Sequence, residues 1–155
     1  MLYYFIAFSI CFFDQITKFY IEKFVLSSSS IPVVSEVLHL TLVYNTGIAF
    51  GLFKEYPFVF AILTILAIIL IIYFLNQKKH KLNVSEKIAL CFILGGSAGN
   101  LIDRLRWGHI VDFIDFRFWP VFNIADSFIT IGAVILIFSM LFKRKDEGSG
   151  TDPSS

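Results

Sequence analysis

Four long apolar runs, separated by short polar segments, set the pattern of this chain. They cover residues 2 to about 24, about 56–75, about 88–105 and about 121–142. Each is close to the 20 or so helical residues that cross roughly 30 Å of hydrocarbon. The second, with FVFAILTILAIILIIYFL at its centre, is the cleanest, and the third is rich in small residues. The first contains Asp14, Gln15 and Lys18. It lacks a basic start and an A-x-A cleavage site, so it does not read as a signal peptide. The pattern predicts an all-α membrane protein with four transmembrane helices.

A different period interrupts it at residues 37–44, VLHLTLVY, where Leu38, Leu40, Leu42 and Tyr44 share one face. Alternation with many strand formers predicts a β-strand. Ser27 to Ser30 followed by Pro32 read as a turn leading into it, and Asn45-Thr46-Gly47 as the turn that ends it. The expectation is a small extracytoplasmic β-sheet between helices 1 and 2. Residues 107–120 read as a loop on the same side. Lysines and arginines in short loops set orientation. Lys78, Lys79, Lys81 and Lys87 lie between the second and third runs, and Lys143, Arg144 and Lys145 follow the fourth. These place both termini in the cytoplasm. Arg104, Arg106 and Arg117 fall on the other side, with Asp103, Asp112 and Asp115 beside them as partners. Residues 1–145 read as one domain, and residues 146–155 as a polar, disordered tail.

Composition supports a bilayer as solvent. The chain is 57% hydrophobic and 16% charged, against about a quarter charged in soluble domains. A net charge of +1 leaves no basic footprint for nucleic acid. Cys11 and Cys91 sit singly in apolar runs and fit neither a disulfide framework nor a zinc site.

Against that background, residues 99–127, GNLIDRLRWGHIVDFIDFRFWPVFNIADS, carry four aspartates: Asp103, Asp112, Asp115 and Asp126. Ionisable groups at membrane depth are expensive unless paired or functional. Asp112 and Asp126 are 14 residues apart and straddle the loop between the third and fourth runs. A hairpin of that length brings them together. Two close carboxylates do not both ionise easily, so one stays protonated. An aspartic protease needs that state, since one carboxylate takes a proton from water while the other donates to the substrate carbonyl. The alternative is that each pairs with an arginine or caps a helix. Asn123 and Asp126 share a helix face, with Asn123 also a candidate N-cap. Asn100 and Asp103 repeat that spacing, and with Arg104 they fit either a buried ion-pair network or a substrate contact. Asp14 and Lys18, four apart, read as a structural tether.

Gly95-Gly96-Ser97-Ala98-Gly99 fits G-x-S-x-G, the nucleophile elbow. That motif needs a strand–turn–helix and a base, whereas Ser97 lies in an apolar helix. Of His39, His80 and His109, only His109 could serve as its base, and nothing pins it to Ser97. Gly95 and Gly99 read better as a close-packing helix face. The histidines show no metal-ligand spacing.

Five ordered motifs resemble the prolipoprotein signal peptidases (signal peptidase II). They are Asp14-Gln15-Ile16-Thr17-Lys18, the run from Tyr44-Asn45-Thr46-Gly47 to Gly51, Gly99-Asn100-Leu101-Ile102-Asp103-Arg104, Val111-Asp112-Phe113-Ile114, and Phe122-Asn123-Ile124-Ala125-Asp126-Ser127. The resemblance runs from about residue 10 to 131. It implies a bacterial intramembrane aspartic endopeptidase that cleaves signal peptides just before a diacylglyceryl-modified cysteine. On it, Asp112 and Asp126 would be catalytic, and Asn45, Asn100, Arg104 and Asn123 would line the substrate groove. Asp14, Lys18, Gly47 and Asp103 would support them. Partners would be diacylated prolipoproteins and membrane lipids. The chain would be a multi-pass monomer of the bacterial inner membrane with its site facing the extracytoplasmic side. No cofactor or metal is expected, because two carboxylates supply acid and base. The competing class is a small transporter or channel using the acids as a proton or cation path. It expects polar residues through the full membrane depth.

Overall fold

A computed structural model describes residues 2–25, 30–47, 57–77 and 82–148, with the backbone alone at 57 and 143–148. Ser27 to Ser29, the 48–51 part of the second motif, Lys78, Lys79, His80, Lys81 and residues 149–155 lie outside the described residues. The elements run α1 (Leu2–Phe24), β1 (Ser30–Val34), β2 (Leu38–Asn45), α2 (Pro57–Asn76), α3 (Val84–Trp107), β3 (Ile110–Asp115) and α4 (Ile124–Gly148).

Helix α3 is the centre of the bundle and packs against α4, α1 and α2. Its start is set by a capping box. The Asn83 side chain accepts from Glu86 N at 2.8 Å, and Glu86 Oε2 accepts from Asn83 N at 2.8 Å. Its end is set by Gly108, at φ 73°, whose N–H reaches Arg104 O at 3.0 Å. The helix therefore begins four residues before the apolar run that announced it. Small residues on α3 admit its neighbours. A Cβ on Gly95 would lie 2.5 Å from Ala7 O of α1, and one on Gly96 would strike Ala125 O of α4. Ala7, Ile71, Cys91 and Leu94 then close the core between α1, α2 and α3.

Three helices, α2, α3 and α4, are long and apolar enough among the described residues to cross a membrane. Only 11% of the apolar window of α2 is buried inside the protein, so its surface suits lipid rather than water. Helix α1 has 23 residues, but Asp14, Gln15 and Lys18 dilute its apolar character.

The sheet corrects the sequence reading in two places. It has three antiparallel strands in the order β1-β2-β3, and the third comes from between α3 and α4, not from the segment joining helices 1 and 2. Residues 110–115 are buried on nearly every side chain. A strand covered on both faces shows no alternation, so the segment read as loop. Ser30 and Pro32 belong to β1, not to a turn. Pro32 is tolerated because β1 is an edge strand. In β2, an irregularity between Leu40 and Val43 breaks the register. Leu42 is buried with Val25 and Val111, while Tyr44 is exposed and meets His109 edge-on at 4.5 Å. Helix α4 runs to Gly148, three residues into the expected tail.

Helix packing through Gly96 is tested by Gly96→Ala. Its Cβ meets backbone, which cannot swing away, so the melting temperature in detergent should fall by an amount worth about 1–3 kcal/mol. Gly108→Ala has open space and should cost about 1 kcal/mol, from its left-handed backbone alone. An unchanged melting temperature for Gly96→Ala would contradict the close α3–α4 approach.

Candidate active site

Strand β3 and the first turn of α4 bring the two foremost acids to one place. Ile114 and Phe122 pair as an isolated bridge, with Ile114 N to Phe122 O at 2.8 Å and Phe122 N to Ile114 O at 3.1 Å. This folds the segment between Asp112 and Asp126 back on itself. Both aspartates line one cavity of about 660 Å³, together with Asn45, Gly47, Asn100 and Arg104. Trp119, Val121, Phe122 and Ile129 supply part of its apolar wall.

Three side-chain amides aim their N–H groups at these carboxylates, and a second contact fixes each orientation. Asn45 Oδ1 accepts from Gly47 N at 3.0 Å, which turns its Nδ2 toward Asp112 Oδ2 at 2.9 Å. Asn123 Oδ1 accepts from Asp126 N at 2.9 Å, as an N-cap does, and its Nδ2 donates to Asp112 Oδ1 at 2.7 Å. Capping and site support are one geometry here. Asn100 Oδ1 accepts from Lys18 Nζ at 3.0 Å and Asn123 Nδ2 at 3.1 Å, leaving its Nδ2 for Asp126 Oδ1 at 2.7 Å. Two amides thus bridge the two acids.

Behind the amides lies a buried ionic cluster. Lys18 Nζ is 2.8 Å from Asp14 Oδ2 and 2.7 Å from Asp103 Oδ2, and all three residues are at most 3% exposed. Every proton of the ammonium has an acceptor once Asn100 is counted, as a buried charge requires. The tether expected of Asp14 and Lys18 is therefore present, with Asp103 as its third member. Gln15 was not singled out from sequence. Its Nε2 donates to Asp103 Oδ1 at 2.7 Å and Gly99 O at 3.1 Å. Its polarity inside an apolar run, one residue after Asp14, was the available signal. Arg104 does not join this cluster. It faces the cavity, with Nη2 3.4 Å from Gly47 O.

The surroundings hold Asp112 far from an ordinary aspartate. Burial, followed by the nearby charge of Asp126, pushes it up to about 7, against the pull of the Asn45 and Asn123 amides. Asp115 is the opposite case. Its burial is outweighed by hydrogen bonds from Arg117 N at 2.7 Å, Thr41 Oγ1 at 2.8 Å and the Arg117 guanidinium, which hold it below the usual carboxylate range. It joins β3 to β2 and does not line the cavity. Ser97 is buried within α3, with no strand–turn–helix around it. His109 packs edge-on against Tyr44, a residue of β2. His39 lies in β2, paired across the sheet with Asp115 and Pro32.

Fold and cavity together describe a membrane-embedded enzyme organised around buried carboxylates. Comparison with known proteins makes this specific. The family described as signal peptidase (SPase) II matches residues 6–142. The lipoprotein signal peptidase of Caldanaerobacter subterraneus subsp. tengcongensis is 45% identical over 135 residues, 86% of this chain and 92% of that protein. That of Halothermothrix orenii is 38% identical over 144 residues, 92% of this chain and 97% of that protein. A solved bacterial membrane enzyme superposes with a TM-score of 0.87 at 32% identity, covering 99% of this chain and 93% of the other. The chain belongs to the signal peptidase II family.

The double duty of Asn123 can be separated by substitution. Asn123→Ser keeps a good N-cap but loses the amide that reaches Asp112 and Asn100. Its melting temperature should stay above that of Asn123→Ala, which loses about 1 kcal/mol of capping as well. Both should lose proteolytic turnover to a similar extent. Full activity in Asn123→Ser would show that the amide bridge is dispensable.

Proposed function

We propose that this chain is an intramembrane aspartic endopeptidase that removes signal peptides from diacylglyceryl-modified prolipoproteins, cutting just before the lipid-modified cysteine. Its family membership supports this. The structural observation that carries it is the convergence of Asp112 and Asp126 on one cavity, with the amides of Asn45, Asn123 and Asn100 aimed at them. The ionised carboxylate takes a proton from water as the oxygen attacks the scissile carbonyl carbon. The protonated carboxyl gives its proton to the carbonyl oxygen, forming a tetrahedral diol. Collapse breaks the C–N bond as the second carboxylate takes back a proton from one diol hydroxyl and the first carboxyl gives its proton to the departing amine, which returns the pair to one shared proton. The products are a signal peptide with a new carboxylate and a lipoprotein with a free cysteine amine.

Asn45, Asn100 and Asn123 hold the dyad. Arg104, at the cavity wall, is placed to meet a carbonyl oxygen of the substrate. Asp14, Lys18, Gly47 and Asp103 support them. Helix α1 is taken as the fourth span, because its polar residues are buried against α3 and Phe5, Phe8, Phe12 and Phe19 cover its outer surface. The charged segment between α2 and α3 then faces the cytoplasm with both termini. The sheet and dyad face the extracytoplasmic side of the bacterial inner membrane, where water reaches the acids and lipid chains stay in the bilayer. One chain holds every residue named here, so a monomer suffices. A transporter reading finds no support. The polar groups of the cavity gather at the sheet end of the bundle, and α2 carries no charge along its length.

Asp112→Asn and Asp126→Asn, reconstituted with a diacylated prolipoprotein, should each lose at least about 10³-fold in turnover, or about 4 kcal/mol of barrier. Persistent cleavage by either variant would remove it from the dyad. Because Asp112 is raised to about 7, its proton is present below that pH and lost above it. Turnover should therefore fall as pH rises through about 7. A rate that climbs steadily to pH 9 would contradict the shared proton.

A further inference from the structure

The ionic cluster holds more than the Asn100 amide. Asp14 Oδ1 accepts from Ala125 N at 2.9 Å. Asp103 Oδ2 accepts from Val111 N at 3.2 Å. Each gripped N–H belongs to the residue immediately before one dyad aspartate, Ala125 before Asp126 and Val111 before Asp112. Asp14 and Asp103 come from different helices, and Lys18 Nζ joins them at 2.8 and 2.7 Å. Asp14 holds the start of α4, and Asp103 holds the start of β3. The placement of those two starts sets where the backbones of Asp112 and Asp126 lie relative to one another. The close packing of Gly99, whose Cβ would lie 2.5 Å from Asp14 Oδ2, leaves Asp14 little room to shift.

We infer that Lys18 is a positioning residue that sets the separation of Asp112 and Asp126, through the grip of Asp14 on Ala125 N and of Asp103 on Val111 N. This rests on the reading of Asp112 and Asp126 as the dyad. Lys18 touches neither the substrate nor the reacting atoms. It works as the common anchor of two backbone clamps, and Gln15 steadies one of them by donating to Asp103 Oδ1 at 2.7 Å. Covalent geometry transmits the position, because each gripped amide is one residue from its aspartate.

Separation has a readout that mere folding lacks. Two acids sharing a proton titrate in two steps whose spacing measures their coupling. Pulling them apart weakens the coupling, so the two steps converge and the pH–activity bell narrows. The charged groups facing the pair are Lys18 and Asp14 from α1 and Asp103 and Arg104 from α3. Removing one charge moves both limbs the same way, so the width of the bell, not its position, reports distance.

The test measures kcat, KM and bell width for Asp14→Asn and Asp103→Asn in proteoliposomes with a diacylated prolipoprotein peptide. Each leaves Lys18 with one carboxylate partner. A misplacement of about 1 Å can cost on the order of 10²-fold. The expected result is a kcat lowered roughly 10- to 100-fold, KM little changed and a bell narrower by about one pH unit. Gln15→Met keeps every charge paired and serves where an aspartate variant does not fold; its bell should narrow by a smaller amount. Wild-type width in every folded variant, with only the height reduced, overturns the inference. Asp112→Asn and Asp126→Asn run alongside. If both are inactive while the widths stay constant, the positioning claim fails and the dyad stands. If either is active, the dyad reading itself fails.

Discussion

The ammonium of Lys18 is the constraint on which the rest of the site depends. It is buried in a helical bundle where an unpaired charge would be prohibitive, so three acceptors must close around it. Asp14 comes from its own helix, and Asp103 and Asn100 come from α3. Meeting that requirement docks α1 onto the glycine face of α3 and fixes which way the Asn100 amide points. Asp14 Oδ1, the oxygen that Lys18 leaves open, takes Ala125 N at the start of α4, and Asp103 Oδ2, the oxygen that Lys18 holds, also takes Val111 N at the start of β3. A demand made by one charge therefore propagates to four elements.

The proposed dyad of Asp112 and Asp126 draws on the same economy of donors. Asn45, Asn123 and Asn100 each spend their oxygen on a fixed partner and turn their NH2 toward an acid. The acids receive oriented dipoles in a cavity whose other wall is aromatic and aliphatic. Burial and mutual charge leave Asp112 near neutrality, the range where a carboxyl can both hold and release a proton.

What was legible in the sequence follows from how each feature is encoded. Helix α2 was plain, because 20 residues without a charge have few other uses. Asp112 and Asp126 stood out because carboxylates in apolar sequence are costly. Strand β3 was hidden because both of its faces are buried, which erases the period of two. Pro32 misled in the other direction, since an edge strand tolerates a proline that a central one would not. The Asn83–Glu86 capping box extended α3 beyond its apolar run into polar sequence. Gln15 is a single amide on a helix, with no spacing that marks its role. The grips on Val111 N and Ala125 N could not be read at all, because a backbone donor leaves no trace in residue identity.

The shared proton is the centre of the proposed mechanism, and it can be sought without turnover. Infrared difference spectroscopy on the reconstituted protein near pH 6 resolves the carbonyl stretch of a protonated carboxylic acid. One such band should be present in the wild type and vanish as pH is raised past about 7. It should also be lost or displaced in both Asp112→Asn and Asp126→Asn, since the proton belongs to the pair. A wild-type spectrum with every carboxyl ionised at pH 6, or a band unmoved by either substitution, would contradict it.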